Sequence, residues 1–236
     1  MNLSSPLAFR AEAARAVEEA KMAITPELGL DMSLTSPGIV WRRGAYLALI
    51  MFQQRKREGT GSRRYGNVLV VVHPALPVDR YDRMRLIVSK ITEWCDLETR
   101  VGIEGYSYGS FSSSVTVLAE LGGYLRCTLK GKAVMWQEFS PNTVKKVGSK
   151  KGHADKAAMV DAFQAQLPAG VPRDLGLGCK PEQNPLSDVA DAYAVMRCLS
   201  EAPAPKPKKK RQTLKQMQAE QDRLQQRKRK RDGSAT

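Results

Sequence analysis

The chain has 236 residues, 42% hydrophobic and 26% charged, enough to bury a core in one large domain or two small ones, which excludes a fibre or a wholly disordered polymer. No apolar run approaches the roughly 20 residues needed to cross a bilayer, and the longest, Tyr46 to Phe52, has the length of a strand. Lysine and arginine number 38 against 24 acids, a net charge of +14 that points to a polyanionic partner.

The four cysteines, Cys95, Cys127, Cys179 and Cys198, form no CxxC pair, and the histidines are His73 and His153, so a zinc finger or disulfide scaffold does not fit. Met1 to Lys21 lacks a continuous apolar stretch and carries Glu12, Glu18 and Glu19. It suits neither a secretory signal nor a transit peptide, and a reducing, cytoplasmic compartment is expected.

In chain order, residues 1–25 read as an extension in which Ala8 to Met22 places Phe9, Ala13, Ala16, Val17 and Ala20 at helical spacing. Leu28 to Met32, Gly38 to Arg42, Tyr46 to Gln53 and Val68 to His73 read as strands from their apolar and β-branched content. Between the last two, Gln53 to Asn67 is polar, basic and glycine-rich. It is expected as an exposed loop, either a solvated hairpin tip or a DNA contact through Arg63 and Arg64. Asp79 to Trp94 predicts a helix with Met84, Ile87, Val88 and Ile91 on one face, and Arg100 to Glu104 a short strand. Ser110 to Leu121 predicts a helix closed by Gly122 and Gly123, followed by strands at Tyr124 to Leu129 and Val134 to Phe139. Helices follow at Ala154 to Gln166 and Ser187 to Leu199, joined by a Gly- and Pro-bearing loop, Leu167 to Pro185. The alternation predicts one α/β domain of mixed sheet over residues 26–202.

Ala202 to Pro207 is a proline-rich linker. Beyond it the basicity concentrates: Pro203 to Thr236 holds 12 basic and 3 acidic residues, leaving a net charge of +5 for the rest. This tail has too few apolar residues for a core and reads as disordered, or as a solvated helix that orders on a polyanion. A solubilising or localisation role is the plainer alternative.

Four carboxylates stand out. Asp31 ends an apolar strand in LGLDMS, and Glu104 ends another in RVGIEGYSYG, at the sheet edge where open α/β folds bind ligands. Asp31 reads alternatively as a turn residue, Glu104 as half of a salt bridge. Asp188 and Asp191 lie three apart behind a predicted N-cap, Ser187, on one face of a late helix; dipole stabilisation is their plain alternative. Taken together, four oxygen donors without His or Cys favour Mg²⁺ or Mn²⁺. Two such ions suit phosphodiester hydrolysis.

These residues resemble the RuvC family of Holliday junction resolvases, of the RNase H-like superfamily. Asp31 in LGLDMSLTSPG is similar to the family's first-strand Asp, Glu104 in VGIEGY to its second acid, and NPLSDVADAYA to the NPxxDxxDALA ending. SPNTVKKVGSKKGHADKAAMV resembles the SPxxVK segment, a glycine-containing loop and the A-[DE]-K helix opening. The likeness spans Leu28 to Leu199 and implies an RNase H-like mixed sheet flanked by helices, with the basic tail appended. It implies two Mg²⁺ (or Mn²⁺) held by Asp31, Glu104, Asp188 and Asp191. It carries Lys156 and Lys145 onto the lysines that face scissile DNA, Lys156 as catalytic; Lys146, Lys150 and Lys151 nearby are further DNA-binding candidates.

The implied activity is a metal-dependent endodeoxyribonuclease that resolves four-way junctions or other branched DNA by paired nicks, as a homodimer in a bacterial or phage-infected cytoplasm. Action on flaps, forks or RNA–DNA hybrids, and non-catalytic nucleic-acid binding, are the alternatives. Ser107 stands where many relatives carry a base-stacking aromatic, so Tyr106 and Tyr108 are the candidates for that role. Met32-Ser33 in place of Pro-Gly, the N-terminal helix and the long 53–73 stretch also depart from the pattern, and the added loop and tail resemble a bacteriophage-type variant. His153 and Asp155 read as loop and helix-start residues.

Overall fold

The computed structural model describes residues 5–19, 24–54, 59–105, 113–178, 180 and 183–201. The predicted tail, Tyr106 and Tyr108 lie outside them.

Among the described residues, seven strands form one sheet: β1 (Glu27–Asp31), β2 (Gly38–Arg43), β3 (Tyr46–Phe52), β4 (Gly61–Tyr65), β5 (Val68–His73), β6 (Arg100–Glu104) and β7 (Met135–Phe139). Their order across the sheet is β4-β5-β3-β2-β1-β6-β7. β1, β2 and β3 are joined antiparallel, while β6 runs parallel to β1 and β7 parallel to β6. This is the mixed sheet the sequence implied, with β5 parallel to β3 and β4 antiparallel on the edge.

Helices cover both faces. α1 (Pro6–Glu19), α2 (Arg80–Thr92) and α3 (Ser113–Gly131) pack on one side, where Leu28, Leu30, Ile39, Trp41 and Ile50 are buried with Phe9, Ile87 and Leu125. α4 (Pro141–Ser149), α5 (Lys156–Gln164) and α6 (Leu186–Glu201) lie on the other. There Val40, Leu49, Val70 and Met51 bury against Val160, Phe163, Val189 and Met196. Alternate residues of each strand thus serve opposite layers, which explains why β1 to β3 and β5 are apolar almost throughout.

Four expectations are corrected. The helix expected to stop at Gly122-Gly123, and the strand expected at Tyr124 to Leu129, are one helix, α3. Leu121, Leu125 and Leu129 recur every four residues and are fully buried, and that gain outweighs the roughly 1 kcal/mol each helical glycine costs. The 53–67 stretch is not loop throughout: β4 lies within it and turns through Gly66-Asn67 into β5 as a two-residue hairpin. The segment after β7 contains a further helix, α4, started by Pro141 and capped by Ser140, whose side chain accepts from Thr143 N. Ser187 is not an N-cap, because α6 has already begun at Leu186; its hydroxyl donates to Asn184 Oδ1 at 2.8 Å.

Candidate active site

Glycines set the distance between α6 and the sheet. A Cβ placed on Gly29 would stand 2.1 Å from the Ala192 carbonyl oxygen, one on Gly38 2.1 Å from that of Asp188, and one on Gly102 3.1 Å from a Val195 methyl. Three neighbouring strands therefore each omit a side chain where α6 crosses, and the helix lies directly on the backbone. This close approach aims the first turns of α6 at the carboxyl ends of β1 and β6.

Those ends carry the two strand acids. β1 and β6 are parallel and in register up to Leu30↔Ile103, so Asp31 and Glu104 occupy the next rung, on strands ~4.8 Å apart. Asp31 and Glu104 share the strand parity of Gly29 and Gly102, and so face α6. Asp31 pairs across the sheet with Gly38, the residue over which Asp188 rests. The four acids expected from the sequence are thereby brought together.

Their electrostatics record the crowding. Burial, followed by the charges of Glu104, Asp188 and Asp191, pushes Asp31 well above the usual carboxylate range, with Lys156 opposing. Burial and Asp191 push Glu104 up to about 7 against the pull of Lys145. Asp191 rises to about 6 through burial and Asp188, opposed by Lys156 and Lys145. Asp188 is raised by burial, while Ser36, Lys156 and Ser187 favour its charged form. The first turns of α6 suit anions, since the helix N-terminus carries partial positive charge.

Lys156 is the first residue of α5, whose N-cap is Asp155, accepting from Ala158 N at 2.9 Å. Asp155 is thus a helix-start acid, as expected, and His153 is an exposed loop residue. Lys145 projects from α4, which fits closely against α5 and α6 because a Cβ at Gly148 would meet Met159 at 2.6 Å and Ala194 at 2.9 Å. Lys146, Lys150 and Lys151 are exposed around the end of α4, Lys150 in the left-handed conformation of its C-cap. Arg63 and Arg64 lie on β4 instead of an exposed loop. Arg64 holds Glu12 of α1 through two bonds of 2.6 and 2.7 Å and stacks over Phe9, on the sheet face opposite the acids. The stem of Arg63 runs beside Gly176.

The donor set suits a hard divalent cation: four carboxylates with no sulfur or imidazole among them. Asp188 Oδ2 is buried without a hydrogen-bond partner, an uncompensated acceptor that a cation would satisfy. Among the described residues, no three acidic, His or Cys side chains already enclose one metal-sized point.

The pattern of acids and lysines was legible from sequence, whereas the three spacing glycines and Ser36 were not singled out. Glycine inside an apolar strand, at 29 and 102, was the available signal.

No family model matches the sequence, and no curated protein matches it. Among solved structures, Thermus thermophilus RuvC is similar to this chain with a TM-score of 0.45 and 18% identity, over 73% of this chain and 91% of that one. T. thermophilus RuvC in complex with Holliday junction substrate matches at 0.45 and 17% over the same shares.

Proposed function

We propose that the chain is a divalent-metal-dependent endonuclease of RuvC type that nicks branched DNA, four-way junctions above all. The observation that carries this reading is the half-buried Asp31 at the end of β1, one rung from Glu104 on β6 and paired with Gly38, on which the α6 turn bearing Asp188 is seated. Acids gathered so densely destabilise a fold unless cations share the site. Asp31, Glu104, Asp188 and Asp191 would hold two Mg²⁺ ions. When bound, such ions activate water and stabilise the leaving oxygen of a phosphodiester.

The remaining roles fall to the chain's own cations. Lys156, exposed at the head of α5, would hold a scissile phosphate. Lys145, half-buried, would pair with the same phosphate or its neighbour, and Lys146, Lys150 and Lys151 with the backbone that follows. Residues 26–202 form the nuclease domain in this reading. The tail from Pro203 adds sequence-independent phosphate contacts, and a C₂ dimer matches the two-fold symmetry of a junction. The cytoplasm of a bacterium or phage-infected cell is the compartment that supplies this substrate.

The test is cleavage of end-labelled substrates in Mg²⁺, comparing a mobile four-way junction, a flap and an RNA–DNA hybrid. Symmetric paired nicks on the junction, lost in EDTA, are expected. Preferential cutting of the flap or hybrid would reassign the substrate, and no Mg²⁺-dependent cutting of any of them would overturn the nuclease reading.

A further inference from the structure

The loop between β1 and β2 carries a serine hydroxyl into the acidic cluster. Ser36 is 1% exposed and its Oγ, within reach of the Asp188 carboxylate, makes no well-formed hydrogen bond; Asp188 is 6% exposed and its Oδ2 is likewise without a well-formed one. Two orphaned polar atoms in one buried place cost about 1 to 3 kcal/mol each, a poor bargain if neither has a ligand to meet. Ser36 is also the strongest influence favouring the charged Asp188 carboxylate.

The position of Ser36 is fixed from several sides. Ser33 Oγ accepts from the backbone N–H of Thr35 at 3.2 Å and of Ser36 at 3.1 Å. Gln54 donates through its side-chain amide to the Thr35 carbonyl at 2.9 Å, and Arg83 to the Leu34 carbonyl at 3.4 Å. Pro37 restricts the backbone directly after Ser36. Next comes Gly38, against which the Asp188 backbone is seated. The segment therefore presents one hydroxyl to one carboxylate with little freedom to drift.

We propose that Ser36 is a positioning residue for Asp188, its hydroxyl donating to one carboxylate oxygen so that the other is held toward a divalent cation. The assignment rests on the metal-dependent reading of the site. A partner that acts through a ligand changes ion affinity before anything else, with losses of about 10- to 100-fold on its removal.

The experiment is a calorimetric Mn²⁺ titration of the full chain, wild type beside Ser36→Ala and Ser36→Thr, with thermal unfolding of each in EDTA. Ser36→Ala should bind Mn²⁺ about 10-fold more weakly, while Ser36→Thr, which keeps the hydroxyl, stays within about twofold. In EDTA, Ser36→Ala should unfold at about the wild-type temperature, because the hydroxyl has no well-formed hydrogen bond to lose until a cation fixes Asp188. A merely structural serine gives the reverse, a lower Tm with unchanged affinity. Should Ser36→Ala not fold, Ser36→Cys, of similar size but a weak donor, should show the same loss of affinity. Equal Mn²⁺ affinity in wild type and the hydroxyl-free variants overturns the role of Ser36 alone. No Mn²⁺ uptake by wild type overturns the metal reading, and the role of Ser36 with it.

Discussion

Strand β1 carries an acid at each end, and its surroundings, β6 among them, treat the two differently. At the start, Glu27 pairs in register with Arg100, and Arg42 on β2 binds it from the other side; it is 7% exposed but has two guanidiniums for company. At the finish, Asp31 stands beside Glu104, and α6 adds two further acids. The same helix serves both ends. Its closing turn offers the Leu199 carbonyl to Arg100 at 2.6 Å and the Ser200 hydroxyl to Arg42 at 3.4 Å, while its opening turn brings Asp188 and Asp191. An acid buried for stability is given cations by the chain itself. Acids buried beside more acids are instead suited to a cation from solution.

The contrast is testable, and its sharpest test is Asp31→Asn. An amide ligates Mg²⁺ poorly, so junction cleavage should fall at least about 10³-fold while junction binding persists; nicking by the purified variant at the wild-type rate breaks the assignment. Gly38→Ala should cost about 3 kcal/mol in thermal unfolding, because the new methyl meets the Asp188 carbonyl in backbone that cannot yield cheaply. Cleavage should drop with it, since the acid moves with its helix. At the other end, Glu27→Gln should destabilise by about 2 kcal/mol, discounted for the partial exposure of both arginines, and leave the cleavage rate per folded molecule unchanged.

The smallest effect is on pH. Folded Glu104 keeps its proton to about 7 against an ordinary 4.5, so between those values the folded state binds more protons than the unfolded one. Stability of the metal-free protein should be greatest below pH 4.5 as far as Glu104 is concerned, and decline as pH rises through about 7. A fall of about 4 °C in Tm is expected in EDTA, absent from Glu104→Gln and opposed by Mg²⁺. A flat profile shared by wild type and Glu104→Gln would show that this acid is not under strain.

Much of this site was legible because a charge at the end of an apolar strand is conspicuous. Asp31 and Glu104 stand out against Leu28 to Leu30 and Val101 to Ile103, and Asp188 and Asp191 share a helical face by their spacing. What eluded the sequence depended on contacts between distant segments. Gly122 and Gly123 carry the local signal of a helix end, yet leucines every fourth residue bind α3 to the sheet and override it. Arg64 looks like a free basic residue in a polar loop until Glu12, 52 positions earlier, is found across from it. Ser36 has no signature of its own, because its meaning comes from the helix that settles on Gly38.

That pairing of Arg64 with Glu12 ties the N-terminal helix to the strand at the sheet's edge. Phe9 rests edge-on against Tyr46 and Trp41, under the guanidinium that β4 supplies. The N-terminal helix and the β4–β5 hairpin pack as one unit, and neither is complete alone. A truncation that begins the protein at β1 would uncover an aromatic hollow and strand a cation beside it, so the two pieces are expected to be gained, trimmed or transplanted as a pair.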